Sequence, residues 1–140
     1  MIDFQYFETD KIKLDGNKKW LKDVIKKENN TLGELVYIFC NDDYLLEKNI
    51  KYLDHNTLTD VITFDYCLDN IISGDIFISI ERVRENSVSY NVSFSEELNR
   101  VMVHGLLHLL KYNDKTEQQS KIMREKEDFY LQNKVDDIRR

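Results

Sequence analysis

Apolar residues along the 140-residue chain recur with two periods, and the switches between them mark the elements. From Gly16, a stripe of Trp20, Leu21, Val24 and Ile25 predicts a helix, with Lys18, Lys19, Lys22 and Lys26 on its other side. Asn29-Asn30-Thr31 closes it. Phe4 to Phe7 alternates weakly and reads as an edge strand. Three stronger strands follow at Glu34–Cys40, Asp60–Tyr66 and Gly74–Ile80, with a turn near Asp69-Asn70 before the third. Asn41-Asp42-Asp43 caps a short helix from Tyr44 to Tyr52, and Asp54 to Thr57 is a loop. Glu81 to Tyr90 is helical. Ser93 with Glu96 predicts a capping box for a helix from Phe94 to about Leu110, built on Leu98, Val101, Met102 and Leu106. Thr116 with Gln119 predicts another, for a last helix reaching about Asn133. The pattern implies an α+β fold in one domain over residues 1–140: a single small mixed β-sheet with helices packed mainly on one face.

A chain of this length buries a core without disulfides, and 41% hydrophobic with 11% aromatic residues excludes a disordered chain. Cys40 and Cys67 are too few for a disulfide scaffold and read as small hydrophobes in a reducing compartment. No run approaches the roughly 18–20 apolar residues of a membrane span. Met1-Ile2-Asp3-Phe4 does not open a secretory signal, so the expected location is the cytoplasm. Proline and alanine are absent and lysine outnumbers arginine, which reflects an AT-rich genome rather than chemistry. The net charge of −6 argues against a general nucleic-acid binder, but it is uneven. Residues 1–27 carry seven lysines against five carboxylates, residues 28–100 five basic groups against fourteen acidic ones, and residues 101–140 eight against seven.

The chemistry concentrates on two of the three histidines. His104 and His108 are four apart on one predicted helix, so both imidazoles can face a single ion. Asp114 follows just past the helix end and completes the set if the chain turns back. Two imidazoles and a carboxylate, with water as fourth ligand, is the open pattern of catalytic zinc; iron, nickel and manganese accept the same set. The plainer alternative is a histidine pair with no ion. The spacing His-x3-His-x5-Asp matches the third-ligand spacing of extended zincin motifs. Gly105, however, stands where those proteases carry their general-base Glu, which argues against a peptidase.

His104-Gly105-Leu106-Leu107-His108-Leu109-Leu110 followed by Tyr112 resembles the His-Gly-x-x-His-Leu-x-x-Tyr-Asp-His signature of the YbeY family of bacterial rRNA maturation endoribonucleases. Tyr52 to Phe64, with Thr59-Asp60-Val61-Ile62-Thr63-Phe64, is similar to the family's Tyr-Arg…Pro-Thr-Asp-Val-Leu-Ser-Phe segment, and Gly74-Asp75-Ile76 to its Gly-Asp-Ile. The resemblance implies an α+β fold with a zincin-like helix near the C-terminus holding one zinc ion per chain. It implies single-strand RNA hydrolysis by a metal-bound water, in rRNA maturation and ribosome quality control. Its implied partners are rRNA, the small ribosomal subunit and assembly factors. His104 and His108 carry over as the first two ligands, and Asp114 aligns with the family's third histidine.

Three departures matter. Lys111 stands where the family has Gly; a positive φ there costs Lys about 1 kcal/mol. Asn113 replaces an Asp. Leu53 replaces an arginine that serves RNA cleavage, a role leucine cannot fill because a phosphodiester transition state needs charge-bearing donors. His55 is the candidate substitute donor, against the plainer reading of a solvated loop residue. Lys18, Lys22 and Lys26, with Lys19, are candidate phosphate contacts, each adding roughly 0.7–0.9 to the salt slope; the alternative is a solvated helix face. Tyr and Phe, though abundant, read mostly as core residues rather than as a basic platform. Two functional readings stand: a metal-dependent endoribonuclease with its general base unassigned, or a ribosome assembly factor with a structural metal that binds without cutting. A non-haem iron protein is a distant third.

Overall fold

The computed structural model describes residues 1–134; the last six positions of the expected domain, 135–140, lie outside the described residues. The elements run β1 (Ile2–Tyr6), α1 (Asn17–Lys27), β2 (Thr31–Cys40), α2 (Asp42–Leu53), β3 (Val61–Asp65), β4 (Ile71–Ser79), α3 (Ile80–Ser89), α4 (Phe94–Leu109) and α5 (Glu117–Gln132). The strands form one mixed sheet in the order β1-β2-β4-β3. β1 and β2 pair in parallel, as do β2 and β4, while β3 runs antiparallel to β4 at the edge. This is the α+β fold that the hydrophobic pattern implies.

Period-two alternation assigns each sheet face its partners. Leu35, Tyr37 and Phe39 of β2 and Ile72, Ile76 and Ile78 of β4 share one buried cluster with Trp20 and Leu21 of α1, Val83 of α3, Leu106 of α4 and Met123 of α5. Burying each such aliphatic side chain contributes about 1.5–3 kcal/mol, so this face holds the fold. The opposite face carries a smaller cluster of Cys40, Leu45 and Ile62, with Tyr44, Phe64 and Phe77 packed against it under α2. Four helices therefore lie on the main face and α2 alone on the other.

Three strands start earlier than the sequence pattern places them, β1, β2 and β4, the last at Ile71 rather than Gly74. β1 begins at Ile2, which is buried and pairs with Leu35. β2 begins at Thr31, because Thr31 and Leu32 pair with Ile71 and Ile72 before the register shifts. The shift passes through Gly33, where a Cβ would sit 2.3 Å from Ser73 Oγ. Helix starts follow their caps. Asn41 Oδ1 accepts from the Tyr44 amide at 2.8 Å, so α2 opens at Asp42, two residues before its apolar stripe. The Thr116–Gln119 box closes in both directions. Ser93 accepts from the Glu96 amide, but no reciprocal Glu96 bond is present among the described residues.

Gly105 sets how closely α4 sits on the sheet. A Cβ there would lie 2.8 Å from Ile76 Cγ2 and 3.5 Å from Thr63 Cγ2. The position that carries a glutamate in proteases faces the sheet here and has no room for one. Cys40 is buried, Cys67 half-buried, and neither is in a disulfide. No helix among the described residues is long and apolar enough to cross a membrane.

Candidate metal centre and the cleft around it

His104 and His108 occupy successive turns of α4, with ring centroids 4.6 Å apart and nearly perpendicular planes. Asp114 reaches them only because the helix ends abruptly. The Lys111 amide donates to the His108 carbonyl and the Tyr112 amide to the Leu107 carbonyl, each at 3.0 Å, which is a Schellman motif. Lys111 takes the left-handed position, φ 78°. That conformation costs a non-glycine residue about 1 kcal/mol. The Lys111 ammonium, 2.7 Å from Asp65 Oδ2, offsets only part of this, since both side chains are exposed.

The result is a nearly equilateral triangle of ligand-type atoms. His104 Nε2 and His108 Nε2 are 3.1 Å apart, and Asp114 Oδ2 is 3.4 Å from each. Ligand atoms about 2.0–2.1 Å from a tetrahedral ion lie roughly 3.3–3.4 Å from one another, so the spacing fits one face of such a site. These residues form the one cluster among the described histidines, cysteines and carboxylates with three ligand atoms within 4.8 Å.

A carboxylate from α5 orients the first imidazole. Glu127 Oε2 lies 2.6 Å from His104 Nδ1. An ionised carboxylate only accepts, so Nδ1–H donates and the Nε2 lone pair is left facing His108 and Asp114. Arg100 donates to the other Glu127 oxygen at 2.9 Å and to Asp128 at 2.8 Å. Burial disfavours the charged form of both His104 and Glu127, but each outweighs it for the other. His104 is held above its ordinary range and Glu127, with Arg100, below its own. Burial and the neighbouring His104 push His108 down.

The triangle opens onto a cleft of about 450 Å³ lined by His104, His108, Asp114, Leu53, His55 and Asp60 among others. His55, exposed on its loop, thus joins the two α4 histidines. Leu53 lines the same cleft and presents it with an aliphatic surface. Asp60 also lines a second cavity of about 330 Å³ with His104, Glu97 and Glu127. Burial pushes the Asp60 carboxyl above its usual range, against the pull of His104. Neither Asp60 nor Glu127 is among the site residues expected from the sequence. Asp60 stood inside the Thr59–Phe64 segment already singled out. Glu127 had a fainter signal: it continues the buried stripe of Met123 and Tyr130, where a charge calls for a partner. Lys18, Lys22 and Lys26 are exposed on α1, and none lines the cleft. Lys18 Nζ sits 5.1 Å from the Phe4 ring centre.

The loop that carries Asp114 is tied to α1 and α5 through Glu28. Tyr112 Oη donates to Glu28 Oε1, and Tyr130 Oη and Lys126 Nζ donate to Oε2. Burial opposes the Glu28 charge, but these donors overcome it and hold the carboxyl below its usual range. A depressed carboxyl stabilises the fold above its unfolded pKa, about 4.3, and loses that contribution as pH falls through the folded value. Glu28→Gln is therefore expected to cost about 1–2 kcal/mol at pH 7, with the difference from the parent shrinking below about pH 4.3. Urea unfolding at pH 7 and at pH 3 checks this; a difference undiminished at pH 3 refutes it.

Fold and site together define an α+β protein in which two histidines of α4 and a carboxylate from the loop after it cluster in the wall of an open cleft. The family model described as Endoribonuclease YbeY matches residues 4–134. The chain is 51% identical over 131 residues to Endoribonuclease YbeY of Flavobacterium johnsoniae, covering 91% of this chain and 93% of the relative. It is 53% identical over 132 residues to Endoribonuclease YbeY of Flavobacterium psychrophilum, covering 94% of each. A solution structure of a Thermotoga maritima protein matches with a TM-score of 0.67 and 29% identity, over 92% of this chain and 87% of that one. This chain belongs to the YbeY endoribonuclease family.

Proposed function

We propose that this protein is a metal-dependent endoribonuclease that hydrolyses single-stranded RNA in rRNA maturation, as one cytoplasmic domain. One divalent ion, zinc by preference, is held by His104, His108 and Asp114. The observation that carries this reading is the triangle of Nε2, Nε2 and Oδ2, with edges of 3.1, 3.4 and 3.4 Å, in the wall of a cleft. When bound, the ion supplies Lewis acidity, lowering the pKa of a water and polarising a phosphoryl oxygen. The protein supplies the rest. Glu127 fixes the His104 tautomer. Asp60 places a carboxyl beside the cleft, and burial raises it above its usual range. His55 offers a ring N–H to a phosphate oxygen where Leu53 offers none. Lys18, Lys22 and Lys26 contact phosphates of the wider rRNA or small-subunit surface, outside the cleft.

The second reading, an assembly factor with a structural metal, draws on Leu53, which leaves the cleft without a guanidinium. One experiment separates the two. Untagged protein is expected to carry about one zinc per chain by elemental analysis, and to cut single-stranded RNA in a reaction that a chelator stops and added zinc restores. Zinc retained with no cleavage favours the assembly factor; a protein that cannot be loaded with zinc removes the site itself.

A further inference from the structure

The sheet face under α2 is aromatic, and it is only partly covered. Four rings run across it in contact: Tyr52 to Phe64 at 5.8 Å, Phe64 to Phe77 at 5.7 Å and Phe77 to Tyr44 at 6.3 Å between centroids. The row does not end in the core. Tyr52 is 53% exposed, and Tyr66, next on the Ile62–Phe64 side of β3, is 60% exposed. Most aromatic residues sit in or against the core, as expected, but Tyr52 and Tyr66 are exceptions because α2 covers only part of this face.

Positive charge accompanies the rings. Lys48 Nζ lies 5.0 Å from the Tyr44 ring centre and 5.5 Å from that of Tyr52, and Lys51 Nζ lies 5.2 Å from Tyr52. Two nearby carboxylates are already engaged, Asp42 by Arg82 and Asp65 by Lys111, while Asp75 lies near the Tyr66 hydroxyl and, with burial, pushes it up. The face and the cleft share α2 and β3: Asn49 and Leu53 of that helix and Ile62 of that strand line the cleft. Exposed rings with flexible cations beside them match the chemistry of unpaired nucleotides, where bases stack and phosphates take the ammonium groups. A protein partner would use the apolar area of such a face but not the placement of both lysines over Tyr52.

We propose that this face is a binding platform for unpaired RNA leading into the cleft, with bases stacking on Tyr52 and Tyr66 and phosphates contacting Lys48 and Lys51. The proposal rests on the ribonuclease reading above and assigns that reading a substrate path. It differs from the candidate α1 contacts Lys18, Lys22 and Lys26, none of which lines the cleft.

The test is binding of a fluorescein-labelled single-stranded RNA of about a dozen nucleotides to the zinc-loaded full chain, followed by anisotropy. Tyr52→Ala and Tyr66→Ala are each expected to weaken binding about tenfold, the scale of one lost base stack. Tyr52→Phe, which keeps the ring, is expected to bind like the parent, whereas Tyr52→Leu, which keeps apolar contact with Phe64 but loses the ring, is expected to bind like Tyr52→Ala. That split separates stacking from support of the fold. Lys48→Glu with Lys51→Glu, both at the surface, is expected to reduce the salt slope by about 1.4. Parent-like RNA affinity in the Tyr52→Ala/Tyr66→Ala double variant overturns the platform while leaving the ribonuclease reading intact. Loss of a co-purifying protein with unchanged RNA affinity also overturns it and gives the face to a protein partner. A parent that neither binds nor cuts single-stranded RNA overturns both.

Discussion

His104→Ala and His108→Ala are each expected to abolish zinc retention and to reduce RNA cleavage by at least about a thousandfold. The magnitude follows from the several kcal/mol that a bound ion contributes to transition-state charge stabilisation. Neither substitution should unfold the protein. Both side chains are half-buried at the cleft rather than in the core, and alanine favours a helix interior. Asp114 divides the outcomes further. Its carboxylate is 42% exposed and, among the described residues, makes no ion pair apart from those with the two imidazoles, so Asp114→Ala removes a ligand and little else. Asp114→Ala is expected to weaken zinc binding strongly, and Asp114→His to retain it, because imidazole serves equally as third ligand. Zinc titration against a competing chelator, with helical content by circular dichroism, checks all four variants. If Asp114→Ala binds like the parent while Glu117→Ala does not, the third ligand is the wrong carboxylate.

Most helices, the two inner strands and the two α4 histidines were legible from local pattern alone. An i, i+4 pair on a helix shares a face whatever the surrounding fold. The Asp114 position was legible only as an offset. Its approach depends on Lys111 adopting φ 78°, which no propensity scale favours for lysine and which the Leu107–Tyr112 backbone bonds impose. Strand starts at Ile2 and Thr31, like that of β4 at Ile71, were missed for a different reason. Both exist because a partner strand lies alongside, Leu35 in one case and Ile71 in the other, and that pairing is not written in local alternation. The open aromatic face was missed on the same ground: Tyr and Phe read mostly as core residues, and local pattern does not show that Tyr52 and Tyr66 stay exposed. Gly105 shows the reverse case. Its sequence signal was the absence of a protease glutamate, and the fold supplies the reason in the 2.8 Å approach to Ile76.

Glu127 is where non-local contacts decide the chemistry, and its substitution is expected to have the second largest effect. It comes from α5, 23 residues after His104, and is 4% exposed. Its charge is held there by Arg100 and by the His104 Nδ1–H. Glu127→Gln keeps the shape but replaces an obligate acceptor with an amide that can also present N–H, so His104 loses the bias toward an unprotonated Nε2. Removing such an outer carboxylate typically lowers metal affinity by roughly 10–100-fold, and that is the expected loss in zinc competition. Glu127→Ala is expected to lose at least as much affinity and also about 3 kcal/mol of stability in chelator-treated protein, because Arg100 keeps only Asp128. The two measurements separate the roles. Reduced zinc affinity in Glu127→Gln with near-parent urea stability identifies a residue that orients His104. Parent-like zinc affinity in Glu127→Gln would mean that the 2.6 Å contact holds the helices together and leaves the metal site indifferent to it.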